Sequence, residues 1–305
     1  MSSEEKITKD DFLRLKKQKK ALILAHNYQL GEIQDLADYL GDSLELAKVS
    51  REVEAELIVF CGVTFMAETA KILSPEKKVL LPVKEAGCPL ADTISPSQLI
   101  KLKQDYPEAW VVSYVNTSAE IKALSDVCCT SANSVSVVKN IPVNQVIFVP
   151  DKNLGWWVKK NVPEKDIILW QGGCFVHEQF KESDVDISRK NYPNAEILVH
   201  PECNFKVLEK SDKILSTGGM VNWVKQSSAK TFVIGTEQGM IYRLGKENPE
   251  KTFYSLGMAR LCRNMKMTTF TALYNCLKRE EFEMNLEPEI MVSARVALER
   301  MVQYV

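Results

Sequence analysis

Short apolar runs of strand length recur along the chain, and each breaks off into polar or aromatic residues before a stretch with helical spacing. In ALILAHNYQLGEIQDLAD (21–38) the apolar run Leu22–Ala25 stops at His26, Asn27, Tyr28 and Gln29. AWVVSYVNTSAEIKALSD and AEILVHPECNFKVLEKSD repeat the pattern: strand, polar cap, helical stretch, closing Asp. The caps are His26, Tyr114 and His200, which stand 88 and 86 residues apart. Asp38, Asp126 and Asp212 each lie 12 residues beyond their cap, and Ser43, Ser131 and Thr217 each lie 17 beyond it.

The register continues into a second strand (LIVFCG, VIFVPD, TFVIGT), a helical stretch (FMAETAKIL, NLGWWVKK, GMIYRLGKE) and a third strand (KVLLPV, DIILWQ, TFYSLG). A cysteine follows each third strand: Cys88, Cys174 and Cys262, which are 62, 60 and 62 residues beyond the caps. Apolar strands of four to six residues alternating with helices predict crossover connections and parallel sheets buried on both faces. The expected fold class is therefore α/β, with three pseudo-threefold-related αβα sandwich units, each with a short parallel sheet, around a central active site. The units span 1–107, 108–193 and 194–305. The tail EPEIMVSARVALERMVQYV reads as an amphipathic helix packing the last unit. Ligands bind beyond the carboxyl ends of parallel strands, so the caps and the cysteines are expected on the same side, facing inward.

Composition narrows the function. A net charge of −1 with no long basic block argues against a nucleic-acid partner. No apolar run approaches 18 residues, so no membrane span is expected. The charged opening MSSEEKITKDDFLRLKKQKK has no signal-peptide apolar core, which makes the cytoplasm the expected compartment. Neither G-x-G-x-x-G nor a P-loop occurs, which disfavours a dinucleotide or nucleoside triphosphate. Eight cysteines without a C-x-x-C exclude a compact zinc ribbon or an ordinary ferredoxin motif. In this compartment they are expected as free thiols rather than disulfides.

Three thiolates, one from each unit, suit either a [4Fe–4S] cluster held at three corners with one open iron, or zinc in an open Cys₃ site. The other five, Cys61, Cys128, Cys129, Cys203 and Cys276, fall off this register and read as packing. Tyr28, Tyr114, His26, His200 and Glu202 are the acid–base candidates. Ser43, Ser131 and Thr217 each read as a hydroxyl at or near a helix start, where a cap or an anion contact is expected. His177, three residues past Cys174, reads either as a surface residue or as a neighbour of the metal.

HNYQ with the following Glu32-Ile33-Gln34-Asp35, GDS, YVNTSAEIKALSDVCCTSAN, PDKNLG, GGCFVHEQF, HPEC, STGGM, GTEQGM and CRNMK run in order over nearly the whole chain. Together they resemble the quinolinate synthase (NadA) family. The resemblance implies a three-unit architecture and a [4Fe–4S] cluster on Cys88, Cys174 and Cys262. It further implies condensation of iminoaspartate with dihydroxyacetone phosphate to quinolinate, with loss of phosphate and water, in de novo NAD biosynthesis. The unstable iminoaspartate implies a nearby L-aspartate oxidase or dehydrogenase. Tyr28, Tyr114 and Glu202 match the family's proton-transfer groups, with His26 and His200 beside them. Asn116, Ser43, Ser131, Ser216 and Thr217 match positions that hold phosphate and carboxylate oxygens. The chain departs from some bacterial members at Cys262-Arg263-Asn264-Met265, where they carry C-x-x-C-x-x-C.

Overall fold

The structure, a computed structural model, describes residues 7–304; residues 1–6 of the charged N-terminal stretch and Val305 lie outside the described residues. One nine-element pattern occurs three times. The first copy runs α1 (Lys9–Lys19), β1 (Ala21–His26), α2 (Gly31–Gln34), β2 (Tyr39–Gly41), α3 (Ser43–Glu52), β3 (Leu57–Cys61), α4 (Thr64–Leu73) and β4 (Lys78–Leu80). The second runs α5 (Pro96–Asp105), β5 (Trp110–Tyr114), α6 (Ala119–Ala123), β6 (Val127–Cys129), α7 (Ser134–Asn140), β7 (Gln145–Val149), α8 (Lys152–Asn161) and β8 (Asp166–Leu169). The third runs α9 (Glu182–Asn191), β9 (Glu196–Val199), α10 (Phe205–Lys210), β10 (Lys213–Ile214), α11 (Thr217–Gln226), β11 (Thr231–Gly235), α12 (Gly239–Glu247) and β12 (Thr252–Ser255). The ninth element is a short 3₁₀ turn three residues after each registered cysteine: Ala91–Thr93, His177–Gln179 and Met265–Met267. The expected three αβα units are all present.

Each sheet has four parallel strands, in the orders β2-β1-β3-β4, β6-β5-β7-β8 and β10-β9-β11-β12. All five residues of β3 are buried, as are the last four of β7 and of β11. Burial on both faces is why these strands read as unbroken apolar runs. The edge strands β2, β6 and β10 are absent from the sequence reading because two or three residues are too few to show a period.

The repeating Asp explains how those edge strands join. Its backbone N–H donates to the first strand, and its carboxylate accepts an N–H from that same strand residue. Asp38 bonds Ile23 at 2.8 and 2.8 Å, Asp126 bonds Val111 at 3.0 and 2.8 Å, and Asp212 bonds Ile197 at 3.0 and 2.7 Å. In each copy the edge strand starts on the next residue.

The units close on one another in a cycle. Glu68 of α4 accepts the N–H of Ala119 at the start of α6 (2.9 Å), and Asn153 of α8 donates to the carbonyl of Glu202 (3.1 Å). Tyr242 of α12 donates to Asp35 (2.7 Å), returning to the first unit. One apolar core runs through all three, holding Leu24, Val112 and Leu198 from the three first strands.

The C-terminal segment corrects one expectation. α13 (Phe270–Arg279) packs Leu273, Cys276 and Leu277 against Phe12, Ile23 and Leu57 of the first unit. α14 (Pro288–Gln303) lies on α6, β6 and α4, so it covers the second and first units rather than the last. Its amphipathic pattern states that one face is buried, and pattern alone carries nothing about which surface receives it. Among the described residues no helix is long and apolar enough to cross a membrane.

Candidate active site

The carboxyl ends of the three sheets converge on one cavity. His26, Tyr28, Ser43, Cys88, Tyr114, Asn116, Ser131, Cys174, His200, Glu202, Thr217 and Cys262 all line it. Ser216 does not. Its hydroxyl accepts the N–H of Gly219 (3.1 Å) as the N-cap of α11, so among the sequence candidates it alone serves the helix rather than the cavity. The other two helix starts also differ from the expected hydroxyl caps. Asp42, not Ser43, caps α3 by accepting from Leu44 and Glu45, and Asn133 rather than Ser131 precedes α7. Ser43 and Ser131 are thereby left facing the cavity.

Each registered cysteine is presented in the same way. Backbone N–H groups at or just before the following 3₁₀ turn favour its thiolate: Leu90 and Ala91 for Cys88, His177 for Cys174, Asn264 and Met265 for Cys262. In the second and third units a buried carboxylate also holds the cysteine's own N–H. Asp151 accepts from Cys174 and Glu237 from Cys262, both at 3.1 Å. Glu237 in turn pairs with Lys266 at 3.0 Å. The corresponding residue of the first unit is Val63, and there Thr64 bonds the carbonyl of Ala86 (2.8 Å). Gly172, two residues before Cys174, lies so close to the carbonyl of Pro150 that a Cβ would stand 2.3 Å from it. Burial pushes the Cys88 thiol up to about 12 and raises those of Cys174 and Cys262.

This donor set fits a thiolate-bound metal group. Three soft sulfurs face one cavity, and the backbone N–H groups beside them stabilise thiolate over thiol once a cation replaces the proton. The remaining cysteines are free and lie in the cores, with Cys61, Cys128, Cys129 and Cys203 fully enclosed and Cys276 nearly so. Cys174, His177 and Glu202 also bring their donor atoms within 4.8 Å of one another.

The acid–base candidates are joined by a residue absent from the sequence reading. The Tyr28 hydroxyl lies 2.5 Å from Thr236 Oγ1, and Thr236 lies 2.9 Å from His177 Nε2. His177 Nδ1 stands 2.7 Å from Glu202 Oε2, while Tyr114 donates to Glu202 Oε1 (2.6 Å). Tyr28, Tyr114, His177, Glu202 and Thr236 are all buried. His177 is therefore neither a surface residue nor a bystander: it is 2% exposed and central to this line. Burial opposes charge on Glu202, but His177, His200 and the bond from Tyr114 outweigh it and hold the carboxyl well below the usual range. The Nδ1–Oε2 contact is close but not aligned as a hydrogen bond, so His177 meets Glu202 as a near charge partner while its Nε2 bonds Thr236. Burial, and then the charge of Glu202, raise both tyrosines well above their ordinary values, so they are proton donors at rest.

The two cap histidines share one device. His26 Nδ1 accepts the N–H of Tyr28 (3.2 Å), and His200 Nδ1 accepts that of Glu202 (3.4 Å). Burial pushes each down to about 3, so both are neutral and carry their proton on Nε2. His200 Nε2 meets Ser131 at 3.1 Å. Asn116 Oδ1 is buried with no partner, an orphan acceptor on the cavity wall.

Comparison with known proteins agrees with this geometry. The family model NadA, described as quinolinate synthetase A protein, matches residues 10–303. The chain is 51% identical to a quinolinate synthase of Thermodesulfovibrio yellowstonii over 294 residues, covering 96% of this chain and 97% of that protein. It is 50% identical to one from Caldicellulosiruptor saccharolyticus (98% of each chain) and 52% identical to one from Dehalococcoides mccartyi (95% and 96%). With the family's match spanning nearly every described element and the three registered cysteines meeting at one cavity, the chain belongs to the NadA, quinolinate synthetase A, family.

Proposed function

We propose that the protein is a quinolinate synthase, condensing iminoaspartate with dihydroxyacetone phosphate to quinolinate with loss of phosphate and water, in de novo NAD biosynthesis in the cytoplasm. The observation that carries the proposal is the meeting of three registered cysteines with a buried tyrosine–threonine–histidine–carboxylate line in one cavity. The three sheets support a division into three units, each contributing one ligand; the bounds 1–107, 108–193 and 194–305 keep each sheet whole, while α5 and α9 pack with the unit that follows them and α13 and α14 with the first and second.

Cys88, Cys174 and Cys262 would hold a [4Fe–4S] cluster by three irons. When bound, the cluster supplies a Lewis-acidic open iron, suited to polarising a substrate hydroxyl or carboxylate oxygen. The chain's own residues do the rest. Tyr28 gives its proton to Thr236, whose own proton passes to His177 Nε2. The resulting imidazolium is stabilised by Glu202 at Nδ1, so Tyr28 is left as a base at the cavity. Return of the proton restores it as an acid. Tyr114, anchored on Glu202, is a second acid at the cavity. His26 donates from Nε2 to a substrate oxygen without changing charge, and His200 donates from Nε2 to Ser131, leaving the Ser131 proton for substrate. Ser43, Asn116, Ser131 and Thr217 bind the phosphate and carboxylate groups. Most of the residues lining the cavity are buried, which limits the access of water to iminoaspartate. Its lability favours functional pairing with an L-aspartate oxidase or dehydrogenase.

The mixed Cys174–His177–Glu202 set is less suited to zinc than the three cysteines, because Thr236 already engages His177 and Tyr114 already engages Glu202. Iron and sulfide analysis of protein purified without oxygen tests the reading. About four irons per chain, with quinolinate formed from the two substrates, is the expected result. Stoichiometric zinc in iron-replete cells, or iron without condensation, would overturn it.

A further inference from the structure

Thr217 faces the cavity, and the direction of its hydroxyl proton is decided by residues that do not. Asn27 lies one residue past His26 and is completely enclosed. Its Oδ1 accepts from Arg243 Nη1 of α12 (2.5 Å), and its Nδ2 donates to Thr217 Oγ1 (2.9 Å). A guanidinium has donors only, so it must face the amide oxygen. The amide nitrogen must then face Thr217, whose oxygen can only accept there. The single Thr217 proton is left for the cavity.

We propose that Arg243 and Asn27 are positioning residues that set Thr217 as an obligate hydrogen-bond donor to an anionic oxygen of bound substrate or product. The first unit supplies the amide, the third supplies the guanidinium and the hydroxyl, and the seam between them sets the polarity. Arg243 is itself braced by Glu247 (2.7 Å). The inference rests on the proposed function for the nature of the ligand, since quinolinate and both substrates are anions. The hydrogen-bond polarity stands on the contacts alone.

The test exploits a near-isosteric reversal. In Asn27→Asp both side-chain oxygens accept, so one still meets Arg243 while the other takes the Thr217 proton away from the cavity. Quinolinate binding to the cluster-loaded enzyme is measured by calorimetry for wild type, Asn27→Asp, Thr217→Val, Thr217→Ser, the Asn27→Asp/Thr217→Val double variant, Arg243→Lys and Arg243→Leu. Loss of one hydrogen bond to a charged group predicts a roughly ten- to hundredfold weaker affinity for Asn27→Asp and for Thr217→Val. The double variant is expected to bind no more weakly than Thr217→Val alone. Thr217→Ser and Arg243→Lys keep affinity near wild type, whereas Arg243→Leu, which frees the amide to rotate, loses part of it. In turnover the loss is expected in KM more than in kcat.

Wild-type affinity in Asn27→Asp overturns the inference. So does a further tenfold loss on adding Asn27→Asp to Thr217→Val, because the added charge would then act on the ligand directly. If Asn27→Asp does not fold, equal affinity of Thr217→Val and Thr217→Ser, or of Arg243→Leu and Arg243→Lys, also overturns it. Failure of the wild type to bind quinolinate would count against the proposed function itself and is read separately.

Discussion

Thr236 marks the point where side-chain chemistry separates most clearly from position in the repeat. It follows β11 where the other units carry Gly62 and Pro150, and it is the only one of the three with a hydroxyl. It bridges Tyr28 of the first unit to His177 of the second. Thr236→Val is expected to lower kcat by about a hundredfold or more, the scale of general acid–base help, while Thr236→Ser recovers most of it. Steady-state kinetics on the two variants checks this, and equal rates would remove the relay from the reaction. For the cysteines, Cys88→Ala, Cys174→Ala and Cys262→Ala are each expected to abolish the cluster, measured as iron and sulfide per chain. Cys276→Ala, in the α13 core, is expected to keep it at about wild-type content. The registered thiols stand apart from the other five without coordinates because all three fall at one position of the repeat, and the structure brings them to one cavity. Glu202 and the tyrosines were also legible, through their shared place at the strand caps of the repeat. Thr236 and the full part played by His177 were not, because each acts only through partners from other units.

At the scale of elements, the repeating Asp is a staple between the first strand and the edge strand. Asp126 is the cleanest case, since Asp38 also pairs with Lys16 and Asp212 with Arg189. Asp126→Ala leaves the Val111 N–H without its carboxylate. A loss of about 1–3 kcal/mol in unfolding free energy is expected, the cost of an orphaned, partly buried donor. Urea denaturation measures it, and an unchanged midpoint would deny the staple its role. The spacing of this Asp was visible in the sequence as a regularity without a cause. Only the strand pairing supplies the cause, because the two bonded residues are 15 apart in the chain. The short strands β2, β6 and β10 escaped notice for a related reason: they exist through this pairing, not through their own apolar pattern.

Over the whole molecule, the central cavity makes stability depend on pH. His26 and His200 are held at about 3, against an ordinary value of 6.5, mainly by burial. Below 6.5 the unfolded chain takes up protons on these residues that the native protein refuses. Their contribution is therefore complete above about 6.5 and is lost as pH falls towards about 3. A falling thermal midpoint between pH 7 and pH 5 is expected, with a shallower slope in His26→Gln and in His200→Gln. A slope identical to wild type in both variants would show that these histidines do not drive it. The C-terminal helix acts at the same scale. Deleting α14 uncovers Ala294, Ala297, Leu298 and Met301's packing surface on α6 and β6, so the second unit is expected to lose cooperative unfolding. An unchanged melting profile in the shortened chain would contradict this.

The sequence by itself determined the three α/β units, the inward caps and the three registered cysteines, because strand length, helical spacing and a repeat period of 86–88 residues are local or periodic properties that survive without coordinates. The tertiary structure alone decided which groups touch. It put Thr236 between Tyr28 and His177, turned Ser216 to capping, aimed Asn27 at Thr217 and carried α14 onto the second unit. Apart from the local Ser216 cap, each of these joins residues from different units or different ends of the chain, and such contacts are set by how three similar surfaces close on one another, which no periodicity within a unit encodes.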